Sequence, residues 1–379
     1  MEKFTARIPE NVLRDLADRL ATTRWAPPMP QSGWGYGTDQ DYLRELVEYW
    51  RTGFDWRTQE ARLNRLSQYR ATVDGTGVHF VWERGQGPNP FPLVVMNGWP
   101  STFAEMERLI PLLTHPDDPA DAFDVVVPAH PGFGFSDKPA ELGDVSYQRI
   151  AARTLTLLRD HLGYQRFGAA GGDVGASVAL RLGMDYAEHV AGVHTDSNGL
   201  IIYPMVPLPE ATEEEQPFLQ NVLNWMEAEG AYSMLQATKP ASLAPAVHDS
   251  PSGLVAYLVE KFRSWSDSSG EVERRFSKDD LLTNATLYWA TESIGSSFLA
   301  YYDAVHHPQE VSNIEVPVGA ALWPADPVTG AAQPPRSYAE RWMNVHRWTE
   351  MPAGGHFFQH EEPELYAQEL REFFRPLRK

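Results

Sequence analysis

Cysteine is absent from the 379 residues. The chain therefore has no disulfide framework, no thiolate nucleophile and no cysteine-bound metal. Long apolar runs are missing too: the most continuous stretches, Phe91 to Met96 and Phe123 to Ala129, fall far short of a membrane span. The opening residues Met1-Glu2-Lys3-Phe4-Thr5-Ala6-Arg7 hold no apolar core of the kind a secretory signal needs. These absences predict a cytoplasmic chain with no membrane partner. Basic residues are scarce, 32 Lys and Arg against 51 Asp and Glu, for a formal charge of −19 with no basic stripe. Such a field repels phosphate backbones, so nucleic acid is not an expected partner and a strongly anionic substrate is disfavoured. Rings, by contrast, are in surplus: 12 Trp, 15 Tyr and 17 Phe.

Residues 8–21 place Val12, Leu13, Leu16 and Leu20 at helical spacing behind Pro9. The Pro, Gly and Trp-rich stretch from Trp25 to Gly37 reads as irregular chain laid on a surface. A helix over Asp41–Arg51 and strands near Tyr69–Val73 and Val78–Trp82 follow. The pattern then changes. Leu93–Met96 and Asp124–Val127 are short, nearly uninterrupted apolar runs, as expected of parallel strands covered on both faces. Gln148–Leu162 reads as an amphipathic helix, Gly168–Ala170 as a strand, and Ala176–Tyr186 as the next helix. Strand signal lapses from Asn198 to about Ser297 in favour of helical, ring-rich sequence that includes Pro217–Glu229 and Gly253–Trp265. It resumes at Val318–Trp323, and Pro363–Phe374 closes the chain as a helix. The expectation is an α/β fold: a mostly parallel sheet in a core of 91–198 and 298–379, an inserted helical cap of 199–297, and an N-terminal segment of 1–90 wrapping the core.

The strongest chemical signal is Gly171-Gly172-Asp173-Val174-Gly175 between a strand and a helix. It has the spacing of the G-x-S-x-G nucleophile elbow, with Asp in place of Ser. A carboxylate there can displace a leaving group or open an epoxide to give an ester whose carbonyl comes from the protein. By itself the same Asp could equally be a helix N-cap. Chain order favours the elbow, because Asp326 follows the strand ending at Trp323 and His356 follows in Gly354-Gly355-His356. Nucleophile, acid and histidine is the order of the α/β-hydrolase core. Asp196, after the strand that follows the elbow, is a rival acid. Asn97-Gly98-Trp99-Pro100 directly follows a strand, so the backbone N–H groups of Trp99 and Val174 are the expected oxyanion-hole donors.

With these residues in place, the chain resembles epoxide hydrolases of the microsomal and juvenile-hormone type, including actinobacterial relatives in natural-product pathways. The resemblance extends from Ile8-Pro9 through Pro131-Gly132-Phe133-Gly134-Phe135-Ser136. In the cap it is carried by Gln236-Ala237-Thr238-Lys239-Pro240, by Asp249 to Gly253 with Glu260-Lys261-Phe262, and by Leu281-Leu282-Thr283-Asn284 with Leu287-Tyr288-Trp289. It implies an α/β-hydrolase fold with no cofactor and no metal. It also implies Asp173 as nucleophile, His356 as the base that activates water, Asp326 as its orienting acid, and Tyr232 and Tyr301 as the pair that polarises the epoxide oxygen.

The chain departs from that family where His usually precedes the Gly-Trp-Pro loop and Trp usually follows the nucleophile; here stand Asn97 and Val174. The smaller Val174 is expected to enlarge the pocket wall. Asn97, Trp289 and His130 are expected around the substrate, although a structural role is the commoner one for a histidine placed like His130. Loss of the Trp that holds a halide argues against a dehalogenase, and the missing elbow serine argues against an esterase. Sequence therefore points to cofactor-free opening of a bulky apolar or aromatic epoxide to a vicinal diol in secondary metabolism. The alternatives are a repurposed fold catalysing a non-hydrolytic addition or isomerisation of a polycyclic intermediate, and a non-catalytic binder. The expected partner is a small-molecule substrate, with a homodimer left open.

Overall fold

The computed structural model describes residues 1–30, 33–202, 211–308 and 310–378. Nine strands form one sheet: β1 (Glu2–Lys3), β2 (Gln68–Val73), β3 (Thr76–Glu83), β4 (Phe91–Met96), β5 (Phe123–Pro128), β6 (Phe167–Gly171), β7 (Val190–Asp196), β8 (Ile314–Leu322) and β9 (Met343–Glu350). Their order is β1-β2-β3-β5-β4-β6-β7-β8-β9, antiparallel from β1 to β5 and parallel from β5 to β9. Every residue of β5 and β7 is buried, as expected of strands with helices over both faces. From β4 the chain crosses one way to β5 and the other way to β6. That reversal opens a crevice at the carboxyl ends of β4 and β6, where an α/β sheet binds its ligand.

Helix Val174–Asp185 returns from β6 and packs close against β4. The glycines of the elbow make that approach possible. A Cβ on Gly175 would stand 2.3 Å from the Met96 carbonyl oxygen, and one on Gly171 would stand 2.5 Å from the Gly175 backbone.

The helical insertion lies between β7 and β8. It runs past the expected limit at Ser297, because helix Leu299–His306 packs on helix Ala231–Thr238 rather than on the sheet. Residues 203–210 of the expected cap lie outside the described residues. The N-terminal segment adds β1–β3 to one sheet edge, and its helices Glu10–Ala21, Gln40–Thr52 and Trp56–Leu63 also clasp the insertion. Trp50 Nε1 donates to Thr286 Oγ1 at 3.1 Å, Tyr49 OH to Asp279 at 2.9 Å, and Thr38 Oγ1 to the Ala256 carbonyl at 2.6 Å. The ring-rich stretch after Trp25 is laid on the surface by cation–π contacts: Arg44 covers Trp25 at 4.3 Å and Arg263 covers Trp34 at 4.6 Å. Among the described residues, no helix is long and apolar enough to cross a membrane.

The Gly175 contact gives a direct test of this packing. Gly175→Ala drives a methyl group into the β4 backbone, which cannot yield as a side chain could, and the expected cost is ~3 kcal/mol or more. Thermal unfolding reads it as a fall in Tm or a loss of soluble protein; an unchanged Tm would contradict the close approach.

Candidate active site

Asp173 occupies the turn between β6 and helix Val174–Asp185 with φ 54° and ψ −125°. A non-glycine residue rarely takes that conformation, and here it thrusts the carboxylate up into the crevice. Oδ1 accepts from the Trp99 N–H at 2.9 Å, and the Val174 N–H also donates to the carboxylate. A Cβ on Gly98 would stand 2.1 Å from that same oxygen, so the loop after β4 needs glycine to come so close. The cap holds the loop in place: Asn284 Nδ2 donates to the Pro100 carbonyl at 2.8 Å and Tyr288 OH to the Ser101 carbonyl at 3.1 Å.

His356 faces the other carboxylate oxygen, with Nε2 3.9 Å from Asp173 Oδ2 and Nδ1 3.6 Å from Asp326 Oδ2. Its backbone N–H donates to the Trp265 carbonyl at 2.8 Å, and its ring meets the Trp265 ring edge-on at 5.1 Å. The Gly354-Gly355 lead-in has a packing cause. Gly354 has φ +103°, and a Cβ on Gly355 would stand 2.6 Å from the Trp265 carbonyl. Asp326 Oδ1 accepts from the N–H groups of Val328 and Thr329 at 3.0 and 3.1 Å, which leaves Oδ2 for the imidazole.

Asp196 is close to this group without touching the histidine. Its Oδ1 accepts from the Gly199 N–H at 3.0 Å, and Asn198 stands between the two acids. The Asn198 Nδ2 lies 2.7 Å from Asp326 Oδ2, 3.2 Å from His356 Nδ1 and 3.3 Å from Asp196 Oδ2. Burial, then the neighbouring Asp326 charge, pushes Asp196 up to about 7. Burial also works against the Asp326 charge, but the hydrogen bond and charge of His356, with the Asn198 amide, outweigh it and hold its pKa below the usual value. Of the two acids, the geometry pairs Asp326 with the imidazole.

Asp173 is raised by burial, against which His356 and the two backbone N–H groups act. For His356 burial opposes the charge, yet Asp326 and Asp173 together push it up to about 9. The resting pair is thus an imidazolium beside a carboxylate, and the charge on each depends on the other.

A cavity of about 280 Å³ opens above Asp173 and His356. Tyr147, Tyr232, Tyr301 and Asn198 supply most of its other polar groups, and Val222, Trp225, Met226, Trp265 and Val305 form apolar wall. The Tyr232 ring stacks on Trp99 with centroids 5.3 Å apart and meets Tyr301 edge-on at 5.8 Å. The Tyr301 hydroxyl is buried without an aligned hydrogen-bond partner. Burial, then the Asp173 charge, raises both phenols well above their ordinary pKa.

Three expected substrate contacts are not in this wall. Asn97 and His130 line a separate space of only about 10 Å³; His130 Nε2 is 3.0 Å from the Asn97 carbonyl, and burial lowers the histidine to about 4. Trp289 is turned outward beneath the Arg19 guanidinium, 5.6 Å from its ring centroid, because the helix face that meets the site is used by Asn284 and Tyr288. Val174 does not widen the pocket either. Its side chain packs into the core, and only its N–H serves the site. Asn198, Tyr147 and Trp265 escaped the sequence reading: none belongs to a spaced motif, and the only signal was Trp265 at the end of an expected helix.

The chain is similar to epoxide hydrolases along nearly its whole length. Residues 1–106 match the family model "Epoxide hydrolase N terminus" and residues 92–363 the model "alpha/beta hydrolase fold". Epoxide hydrolase 1 of Oryctolagus cuniculus is 33% identical over 98% of this chain and 88% of its own length. The crystal structure of juvenile hormone epoxide hydrolase from the silkworm Bombyx mori superposes with a TM-score of 0.86 at 25% identity, covering 100% of this chain and 94% of that one. The Aspergillus niger epoxide hydrolase structure also gives 0.86, at 27% identity over 99% and 96% of the two chains.

The coupling between Asp173 and His356 can be measured. Asp173→Asn removes the negative charge that supports the imidazolium, so the histidine is expected to titrate below its parent value of about 9. Histidine ring NMR across pH reads the change, and an equal pKa in both proteins would show that the pair is not coupled.

Proposed function

The chain belongs to the epoxide hydrolases of the microsomal and juvenile-hormone type, which turn an epoxide into a diol, and from that premise we propose how its own residues divide the work. Asp173 Oδ2 attacks an epoxide carbon from the floor of the cavity and forms an alkyl ester, while Oδ1 keeps the N–H of Trp99 and the Val174 N–H stays on the carboxyl group. Tyr232 and Tyr301 hydrogen-bond the epoxide oxygen, and one phenol gives it a proton as the C–O bond breaks. A positioned acid of this kind contributes roughly 10²–10⁴-fold.

Ester formation consumes the Asp173 charge, and the imidazolium loses its partner. Its proton is released as the phenolate regains one, so charge balances and a neutral His356 remains. Held by Asp326, it takes a proton from water, and the hydroxide adds to the ester carbonyl carbon. The oxyanion forms at Oδ1, where the Trp99 N–H already points, with the Val174 N–H serving the same carboxyl group. Collapse expels the second alkoxide of the diol, which takes the proton back from His356; the Asp173 carboxylic acid left behind then passes its own proton to His356, restoring the carboxylate and the imidazolium. The observation that carries this reading is one carboxylate with one oxygen in a backbone N–H cradle and the other facing a carboxylate-supported histidine.

The cavity wall supports a bulky apolar or aromatic substrate. Its polar groups gather at the catalytic end, and around its outer part Met226 and Met234 are apolar side chains open to solvent. A place in secondary metabolism rests on the sequence resemblance and not on the site.

Single turnover in isotopically heavy water distinguishes this route from a direct attack by water. One heavy oxygen is expected in the Asp173 peptide and none in the first diol. Label in the diol alone would instead show direct attack by water, and turnover retained in Asp173→Ala would favour the repurposed, ester-free chemistry.

A further inference from the structure

Lys261 stands in Glu260-Lys261-Phe262, a stretch that the steps above leave without a role. Its side chain is only 7% exposed, and its ammonium pairs with Glu260 Oε2 at 2.5 Å. The same ammonium lies 5.0 Å from the centroid of the Tyr232 ring and 5.5 Å from that of Trp265. Lysines are almost never this buried unless paired, and here the carboxylate that balances the charge is its chain neighbour, so the placement over two rings is what the fold has selected. Glu229, from helix Gln216–Glu229, also faces the pair electrostatically.

Tyr232 needs such a neighbour. Its ring is part of the cavity wall beside Asp173, in surroundings that disfavour the phenolate. When it hands over its proton, negative charge spreads into a partly buried ring on the cavity wall. An ammonium over the face of a neutral ring is attracted by the quadrupole alone; over a phenolate ring it meets a full charge. The attraction is therefore stronger in the transition state than before it, and only such a difference accelerates a chemical step.

We propose that Lys261 is a positioning residue for epoxide opening: its ammonium, held over the Tyr232 ring by Glu260 and the cap, stabilises the phenolate that forms as Tyr232 protonates the epoxide oxygen. The inference rests on Tyr232 as proton donor. It confines the effect of Lys261 to ester formation, since ester hydrolysis uses His356 and water.

Rapid mixing with styrene oxide, or with the fastest of a panel of aryl and alkyl epoxides, followed by acid quench and intact-protein mass, separates formation of the alkyl enzyme from its decay. Lys261→Met is expected to slow formation roughly 5- to 30-fold and leave decay within about twofold. Lys261→Arg restores most of the rate, and Lys261→Gln provides the same comparison if the Met variant does not fold. In a Tyr232→Phe background, Lys261→Met is expected to slow formation no further. An equal slowing with and without the Tyr232 hydroxyl overturns the inference in favour of plain packing. So does a normal Tyr232→Phe defect with no Lys261 effect. Unchanged ester formation in Tyr232→Phe itself overturns the Tyr232 reading and this inference with it.

Discussion

A carboxylate kept charged while buried is the constraint on which the rest of this structure depends. Asp173 is 9% exposed, and burial favours its neutral, unreactive form. Three groups counter that penalty: the N–H of Trp99, the N–H of Val174 and the imidazolium of His356. Each comes from a different part of the chain, so the loop after β4, the elbow after β6 and the loop after β9 must converge to within a few ångströms. The glycines at 98, 171, 175 and 355 fall where a Cβ would block that convergence.

The insertion does more than roof the cavity. Trp265 accepts the backbone N–H of His356, and Asn284 and Tyr288 hold the carbonyls of Pro100 and Ser101. Two of the three supports of Asp173 are thus oriented by cap helices, and those helices are clasped in turn by Tyr49 and Trp50 from the N-terminal segment. Core, cap and N-terminal segment form one hydrogen-bonded frame around the nucleophile. This frame accounts for family motifs far from the elbow, such as Leu281 to Trp289, without any of them touching substrate.

The electrostatics also order the proposed reaction. Before attack, Asp173 and His356 hold opposite charges and neither fits the other's later role, since an imidazolium cannot take a proton from water. Esterification cancels the carboxylate, and the histidine becomes a base only once there is an ester to hydrolyse. Asp196, pushed up to about 7 beside Asp326, is only partly charged at neutrality, and the Asn198 amide separates the two acids.

Much of the fold was legible from local pattern. Pro363–Phe374 is the helix its spacing indicates, and the apolar runs at Leu93 and Asp124 lie within β4 and β5. Elbow, acid and histidine were legible because strained backbone and fixed chain order leave a mark in glycines and spacing. Side-chain direction leaves no such mark. Asn97, His130 and Trp289 share their segments with site residues yet face away from the cavity, whereas Asn198 and Tyr147 carry no motif spacing and line it. The sequence by itself determined the chemistry, a carboxylate at an elbow, because backbone geometry restricts which residues can stand there. Only the tertiary structure decided which acid meets the histidine and which rings line the cavity, because those contacts join residues distant in the chain through the packing of cap on core.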